Sequence, residues 1–318
     1  MKLVVLAGGV GAARLLAGLV QICAPGELTA VVNTGDDTIL HGLTICPDLD
    51  TVTYTLGKAN DTVRGWGLAG ETWHAMEALE RFATVRPEGS GAGATWFRLG
   101  DRDLATHLYR THRLAEGASL TTVTDEIVRA HGVGVTLVPM SDDPAPTLVS
   151  VVGEGWVGFQ TYFVGRQHSV PVDGVRFGAP DARVNPVVLA ALDAADGIVI
   201  APSNPIVSVG PLLAFPEIRE RLVARRDRVV AVSPIIGGQA LKGPADRMLI
   251  ELGHESSAVG VARLYADIAS TLVIDDVDAA LATAVEAHGV RAVVTDTIMR
   301  DEGRAAALAT VVEEALRS

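Results

Sequence analysis

Cysteine is almost missing from this chain of 318 residues. Only Cys23 and Cys46 occur, with no Cys-x-x-Cys spacing, so neither a disulfide framework nor a thiolate zinc site is indicated, and a reduced compartment fits. Aromatic residues make up 4%, too few for an aromatic-rich β-sandwich. Basic residues fall short of acidic ones, 26 against 38, and the net charge of −12 is spread along the chain without an acidic tail. Such a chain repels phosphate backbones and anionic lipid surfaces, which argues against nucleic acid and membrane as partners. It does not exclude a nucleotide-sized anion, which local amides, an arginine and a cation hold whatever the global charge. No stretch approaches the ~20 apolar residues of a membrane span. The apolar start has only a superficial likeness to a signal peptide, because Gly8, Gly9, Gly11 and Arg14 interrupt it. A cytoplasmic location is expected. Repeats, coiled-coil heptads and low-complexity tracts that would suggest a scaffold are also absent.

What is abundant is small and apolar: hydrophobic residues are 48% of the chain, with Gly, Ala, Val and Leu prominent. That suits buried parallel strands covered by small-residue helices, an α/β fold. Residues 2–7 read as a strand, 8–11 as a glycine turn and 12–22 as a helix with Leu15, Leu16, Leu19 and Val20 at helical spacing. Residues 28–32 then close a right-handed βαβ unit. Helices are expected at 48–56 with Asp48 as N-cap, at 71–82, at 101–114, at 120–130 and at 302–317. Residues 87–94 read as an exposed Gly/Ser-rich loop. Further strands are expected at 133–138, 197–201, 229–233, 271–275 and 290–295. Gly153-Glu154-Gly155 between two apolar runs, 147–152 and 156–164, is a hairpin signature. The expectation is one Rossmann-like, doubly wound, mostly parallel domain over 1–318, with a small antiparallel accessory sheet inserted at about 145–186.

The residues able to carry chemistry cluster at strand exits. Gly8-Gly9-Val10-Gly11 lies where open α/β sheets bind phosphate through free helix N-terminal amides, although a plain tight turn needs the same glycines. A dinucleotide oxidoreductase would place an acidic residue at the end of the second strand, where this chain has Asn33. The third fingerprint glycine and the Lys-Ser/Thr ending of a P-loop are missing too. Asp36, Asp37, Asp48 and Asp50 put four carboxylates within 15 positions, an oxygen-only set suited to Mg²⁺, unless Asp36 and Asp48 serve only a turn and a cap. Asp103 and His107, four apart, share a helix face, and Arg102 beside them is a bidentate clamp for phosphate or carboxylate if it is not a surface pair. Ser141-Asp142-Asp143, the Ser203-Asn204 loop and the Ser233 loop are further polar strand exits.

Together, the Gly8-Gly9-x-Gly11 turn, Val32-Asn-Thr-Gly-Asp-Asp37, Cys46-Pro-Asp-Leu-Asp-Thr51, Leu99-Gly-Asp-Arg-Asp-x-Ala-Thr-His107, Pro139-Met-Ser-Asp-Asp143, Ala201-Pro-Ser-Asn-Pro-Ile206 and Ser233-Pro-Ile-Ile236 resemble the 2-phospho-L-lactate transferase family, CofD in archaea and FbiA in actinobacteria. The likeness spans essentially the whole chain. It implies an enzyme of coenzyme F-420 biosynthesis. The ribityl hydroxyl of Fo, 7,8-didemethyl-8-hydroxy-5-deazariboflavin, would attack the phosphorus bearing a lactyl or enolpyruvyl group on a guanosine diphosphate-activated donor, and GMP would leave. On that resemblance Mg²⁺ falls to Asp36, Asp37 and Asp50. Catalysis falls to Asp50, Asp37 and Arg102, with Asp50 the Fo contact and base, and Asp48 caps its own helix. Substrate binding falls to Gly8, Gly9, Gly11, Asn33, Asp50, Arg102, Met140, Ser141, Ser203 and Asn204. The resemblance also implies a homodimer. The Ala/Arg/Gly bias and the Asp pair after Gly35 are similar to actinobacterial members, which implies the enolpyruvyl donor. The alternative is a non-catalytic, nucleotide-sugar-binding regulator of the gluconeogenesis-factor type, which shares the glycine turn.

Overall fold

The computed structural model describes residues 1–93, 95–178 and 181–318. Residue 94 of the expected loop and residues 179–180 of the expected insertion lie outside the described residues. The strands in chain order are β1 (Leu3–Ala7), β2 (Leu28–Val32), β3 (Thr38–Leu40), β4 (Leu43–Ile45), β5 (Thr136–Pro139), β6 (Thr147–Val151), β7 (Gly155–Gly158), β8 (Val172–Phe177), β9 (Gly197–Ile200), β10 (Val229–Val232), β11 (Ile235–Ile236), β12 (Gln239–Ala240), β13 (Thr271–Asp275) and β14 (Arg291–Thr295). Seven of them form one sheet in the order β14-β13-β10-β9-β1-β2-β5, every neighbouring pair parallel.

The apolar runs are continuous because both faces of this sheet are covered. Along β1 the side chains alternate between two cores. Leu3, Val5 and Ala7 face a cluster with Leu15, Leu16 and Leu19 of helix α1 (Gly9–Ile22) and Leu308 and Val312 of the helix Glu302–Arg317. Val4 and Leu6 face Val188, Leu192, Ile218, Leu222 and Val261 from three other helices. Helix Glu302–Arg317 lies so close to α1 that a methyl on Gly18 would meet the Ala305 carbonyl.

Four more helices frame the site: α2 (Pro47–Leu56), α3 (His74–Glu80), α4 (Asp103–Ala115) and α5 (Leu120–Ala130). The antiparallel accessory sheet is present, in the order β7-β6-β8, within residues 147–177. Its second strand ends at Gly158, six residues short of expectation. The apolar residues that followed fold into a helical turn over Thr161–Gly165, where Phe159 stacks on Phe163 at 5.4 Å.

The helix expected at 71–82 is shorter, because residues at its start cap another element. Glu71 accepts the amides of Arg102 and Asp103 at 2.8 and 2.9 Å, closing the N-terminus of α4. Asp101 in turn accepts the amides of His74 and Ala75, both at 3.0 Å, at the start of α3. Each helix N-terminus thus takes its carboxylate from the other's leading segment, a long-range form of capping.

Candidate active site

Chain direction fixes where the site lies. From β1 the chain winds outward through β2 to β5, then returns to β9 on the other side of β1 and winds through β10 and β13 to β14. The carboxyl ends of β1 and β9 are therefore the switch point of the sheet, where ligands of open α/β folds bind. Gly8 follows β1, and Ser203 follows β9 and donates from its hydroxyl to the Gly8 carbonyl at 2.8 Å. Asn204 caps the next turn, accepting the Ile206 amide at 2.9 Å. Gly9 has φ of +71°, in the left-handed region that favours glycine. Gly11 is required for closeness, since a Cβ there would land on the Pro202 carbonyl oxygen. Gly11→Ala should therefore destabilise the fold by about 1–3 kcal/mol, readable as a lower denaturation midpoint. An unchanged midpoint would mean that the two strand exits can part without cost.

A cavity of about 720 Å³ opens at this point. Its walls include Gly8, Gly9, Gly11, Asn33, Asp36, Asp48, Asp50, Ser203 and Asn204. Asn33, at the end of β2, sits at the hub of a buried polar network. Its side-chain oxygen accepts the Gly35 amide at 2.8 Å and its amide nitrogen donates to Asp48 at 2.9 Å. Asp36 accepts from Gln160 at 2.9 Å. Burial pushes the Asp48 carboxyl up to about 6, although Asn33 and the Gly9 amide favour its ionised form. Burial, and then the charges of Asp48 and Asp37, push Asp36 well above the usual carboxylate range. Among the described residues neither Asp36 nor Asp48 has an ion-pair partner. This part of the cavity is short of positive charge, and its donor set is all oxygen, which fits a divalent hard cation.

Asp50 stands differently. Arg110 of α4 holds both of its oxygens, Nη1 at 3.1 Å from Oδ2 and Nη2 on Oδ1. Arg110 is 2% exposed, so this is a buried bidentate pair. The same Nη1 lies 3.3 Å from His107 Nδ1. Arginine only donates, so Nδ1 accepts, and Nε2 on the other side of the ring lies 3.3 Å from Asp103 Oδ2. Tyr54 donates to the other Asp103 oxygen at 2.6 Å. Although burial pushes the Asp103 carboxyl up, His107, Tyr54 and Arg110 together hold it below its ordinary value. Asp50, Asp103 and His107 converge with ligand atoms all within 4.8 Å of one another.

Several sequence expectations change here. Asp36, Asp37 and Asp50 do not form such a converging set; among the described residues the set is Asp50, Asp103 and His107. Asp37 is absent from the cavity wall and takes the Cys46 thiol as a hydrogen-bond partner. Asp48 does not cap its own helix: Cys46 is the N-cap of α2 and Pro47 its first residue, while the Asp48 carboxylate faces the Gly8-Gly9 turn of α1. Arg102 is not on the cavity wall, because its guanidinium donates to the Ala69 carbonyl at 2.9 Å. Met140 is a core residue with no exposed surface, and Ser141 donates to the Arg183 carbonyl at 2.7 Å; neither lines the cavity. Asp142 holds the start of α5 through the Thr121 amide and hydroxyl, both at 2.7 Å. Arg110, Tyr54 and Gln160 were not anticipated. A signal for Arg110 existed, since Asp103, His107 and Arg110 recur at i, i+4 and i+7 on one face of α4.

Similarity to known proteins runs over nearly the whole chain. The pattern of the family described as 2-phospho-L-lactate transferase CofD matches residues 3–316. A protein of Streptomyces griseus called phosphoenolpyruvate transferase is 43% identical over 314 residues, covering 97% of this chain and 96% of that one. A protein of the same description from Streptomyces coelicolor is 42% identical over 323 residues and covers 99% of both chains. One from Thermobifida fusca is 41% identical over 322 residues, covering 97% of this chain and 96% of its own. Among solved structures, a UPF0052 family protein from Bacillus halodurans superposes with a TM-score of 0.64 at 17% identity, over 98% of this chain and 99% of that chain. That likeness is one of fold.

Proposed function

The chain belongs to the 2-phospho-L-lactate transferase CofD family and is a transferase, and on that premise we propose that it moves a phosphoenolpyruvyl group from a guanosine diphosphate-linked donor to the ribityl hydroxyl of Fo. The hydroxyl oxygen bonds to the phosphorus that carries the three-carbon unit, the bond from that phosphorus to the GMP oxygen breaks, and GMP leaves with dehydro coenzyme F-420-0 as the other product. The enolpyruvyl form is preferred over 2-phospho-L-lactyl because relatives of 41–43% identity carry that activity in their names.

The observation that carries the reading is the meeting of two unlike surfaces in one cavity, amide donors of a glycine turn and unpaired buried carboxylates. The turn at Gly8, Gly9 and Gly11, with Ser203 and Asn204 beside it, takes the diphosphate. Asp36 and Asp48, the carboxylates without an ion-pair partner among the described residues, would hold Mg²⁺, with Asp37 supporting the loop from behind. When bound, the cation offsets the donor's charge and polarises a phosphoryl oxygen. Asp50, kept in one orientation by Arg110, accepts the hydrogen bond of the attacking hydroxyl and receives its proton. His107 and Asp103 fix the far side of Arg110 so that this orientation persists. Arg102, tied to the Ala69 carbonyl, holds the loop over the site. The protein is proposed to work in the cytoplasm as a homodimer.

The test is a fluorescence titration with Fo, with and without Mg²⁺, followed by assay of both three-carbon donors. Saturable micromolar binding and GMP release dependent on Fo are expected. An absence of Fo binding under every condition would remove this reading.

A further inference from the structure

The mouth of the cavity has a composition that the phosphate chemistry does not use. Three segments meet there: Arg64-Gly65-Trp66-Gly67, Trp96-Phe97-Arg98 and Leu241-Lys242-Gly243. Trp66 and Trp96 line the cavity and stay 47% and 38% exposed, although Arg64 lies over the Trp66 ring at 5.5 Å and Phe97 meets Trp96 edge-on. The first and third segments touch across the opening, since a side chain on Gly65 would strike Lys242 Nζ and Gly65 itself has φ of +79°. Arg64 is neutralised by Asp61 at 2.8 Å and lies 5.0 Å from the Trp73 ring centre. Arg98 lies over the same ring at 5.3 Å. Arg113, Arg166 and Arg221 pair with carboxylates, whereas Arg14, also on the cavity wall, donates to the Met299 carbonyl at 3.2 Å. Among the described residues Arg98 and Lys242 pair with none, yet both face the cavity. The carboxylates on the cavity wall, Asp36, Asp48, Asp50 and Asp103, come from other segments, at the β2 exit and on α2 and α4.

Partly exposed indole rings beside unpaired cations suit a ligand that is flat and negatively charged at once. We propose, resting on the acceptor assignment above, that this mouth binds the ring system of Fo as its anion, with Lys242 and Arg98 facing the charge and Trp66 and Trp96 the ring. The 8-hydroxyl of Fo is a phenol conjugated through the ring to the pyrimidinedione carbonyls, so its loss of a proton to solvent spreads one negative charge over a planar surface. The mouth therefore reads the charge of the acceptor as well as its shape.

The experiment follows the absorption spectrum of Fo across pH, free and in the presence of saturating protein. Binding should lower the apparent pKa of the phenol by about one unit, a tenfold preference for the anion. Lys242→Met should abolish most of that shift and weaken binding at pH 8 more than at pH 5, while Lys242→Arg should keep it. An Fo derivative methylated on the 8-oxygen should bind with no pH dependence from this group and with equal affinity to wild type and Lys242→Met. Binding of Fo with an unshifted phenol, or a shift that survives in both Lys242→Met and Arg98→Met, overturns the inference and leaves the transferase reading intact. Failure of Fo to bind at all overturns both.

Discussion

Asp50→Asn should lose both stability and turnover, and the two losses should separate in a double variant. Arg110 is buried and its guanidinium is held by both Asp50 oxygens. Removing the negative partner strands a cation that cannot give up its proton, and breaking one side of a buried pair costs about 3–5 kcal/mol. Chemical denaturation should show that loss as a lower midpoint at an unchanged slope. Turnover should fall by a factor of about 10²–10⁴, the usual worth of a positioned proton acceptor. Arg110→Met combined with Asp50→Asn removes both charges, so most of the stability should return while turnover stays low. If the double variant is as unstable as the single one, the pair is not an isolated charge couple. If Asp50→Asn turns over at the parental rate, Asp50 leaves the mechanism.

The sheet was readable in the sequence because its strands are buried on both faces, so each is a short unbroken apolar run. The bounds of β2, β13, α5 and the helix Glu302–Arg317 agree with the periodicity to the residue. Departures occur where a residue is claimed by a distant partner. Glu71 looks like the start of one helix and caps another, 31 positions away. Asp48 looks like the cap of its own helix and instead faces the turn before α1. Arg110 was unremarkable in a helix of mixed charge until α2 placed Asp50 against it.

The site residues divide along the same line. The glycine turn, Asn33, Asp36, Ser203 and Asn204 stand at strand exits, the topology of a doubly wound sheet brings strand exits together, and Asp50 reaches the same cavity from α2. Met140 and Ser141 also follow a strand, but β5 is the edge strand, two places from β1. Their motif serves to pin α5 and the segment around Arg183 to that edge. A motif shared along a family thus marks structural necessity as readily as contact with substrate, and only position in the sheet separates the two.

Asp48→Asn should make the cation-free protein more stable at pH 7.5 and leave it unchanged near pH 4. Burial raises the folded-state pKa of Asp48 from 3.8 to about 6. A carboxyl raised in this way holds its proton more tightly folded than unfolded, so the folded state binds more protons between those values. Stability is then greatest below pH 4 and is lost as pH rises towards 6, with the full penalty present above it. The size of the shift sets that penalty on the order of 2–3 kcal/mol. Asn carries no charge and escapes it, so in chelator at pH 7.5 the variant should melt roughly 5 °C higher. Mg²⁺ supplies the missing positive charge and should raise the melting temperature of the wild type by more than that of the variant. A variant that melts lower at both pH values would mean that the bonds from Asn33 and the Gly9 amide outweigh the buried charge. The strain would then not be held in reserve for the cation. If the expected pattern is found, the network around Asn33 is built for a cation at the expense of the empty fold, and the gain from Asp48→Asn should come with a loss of turnover.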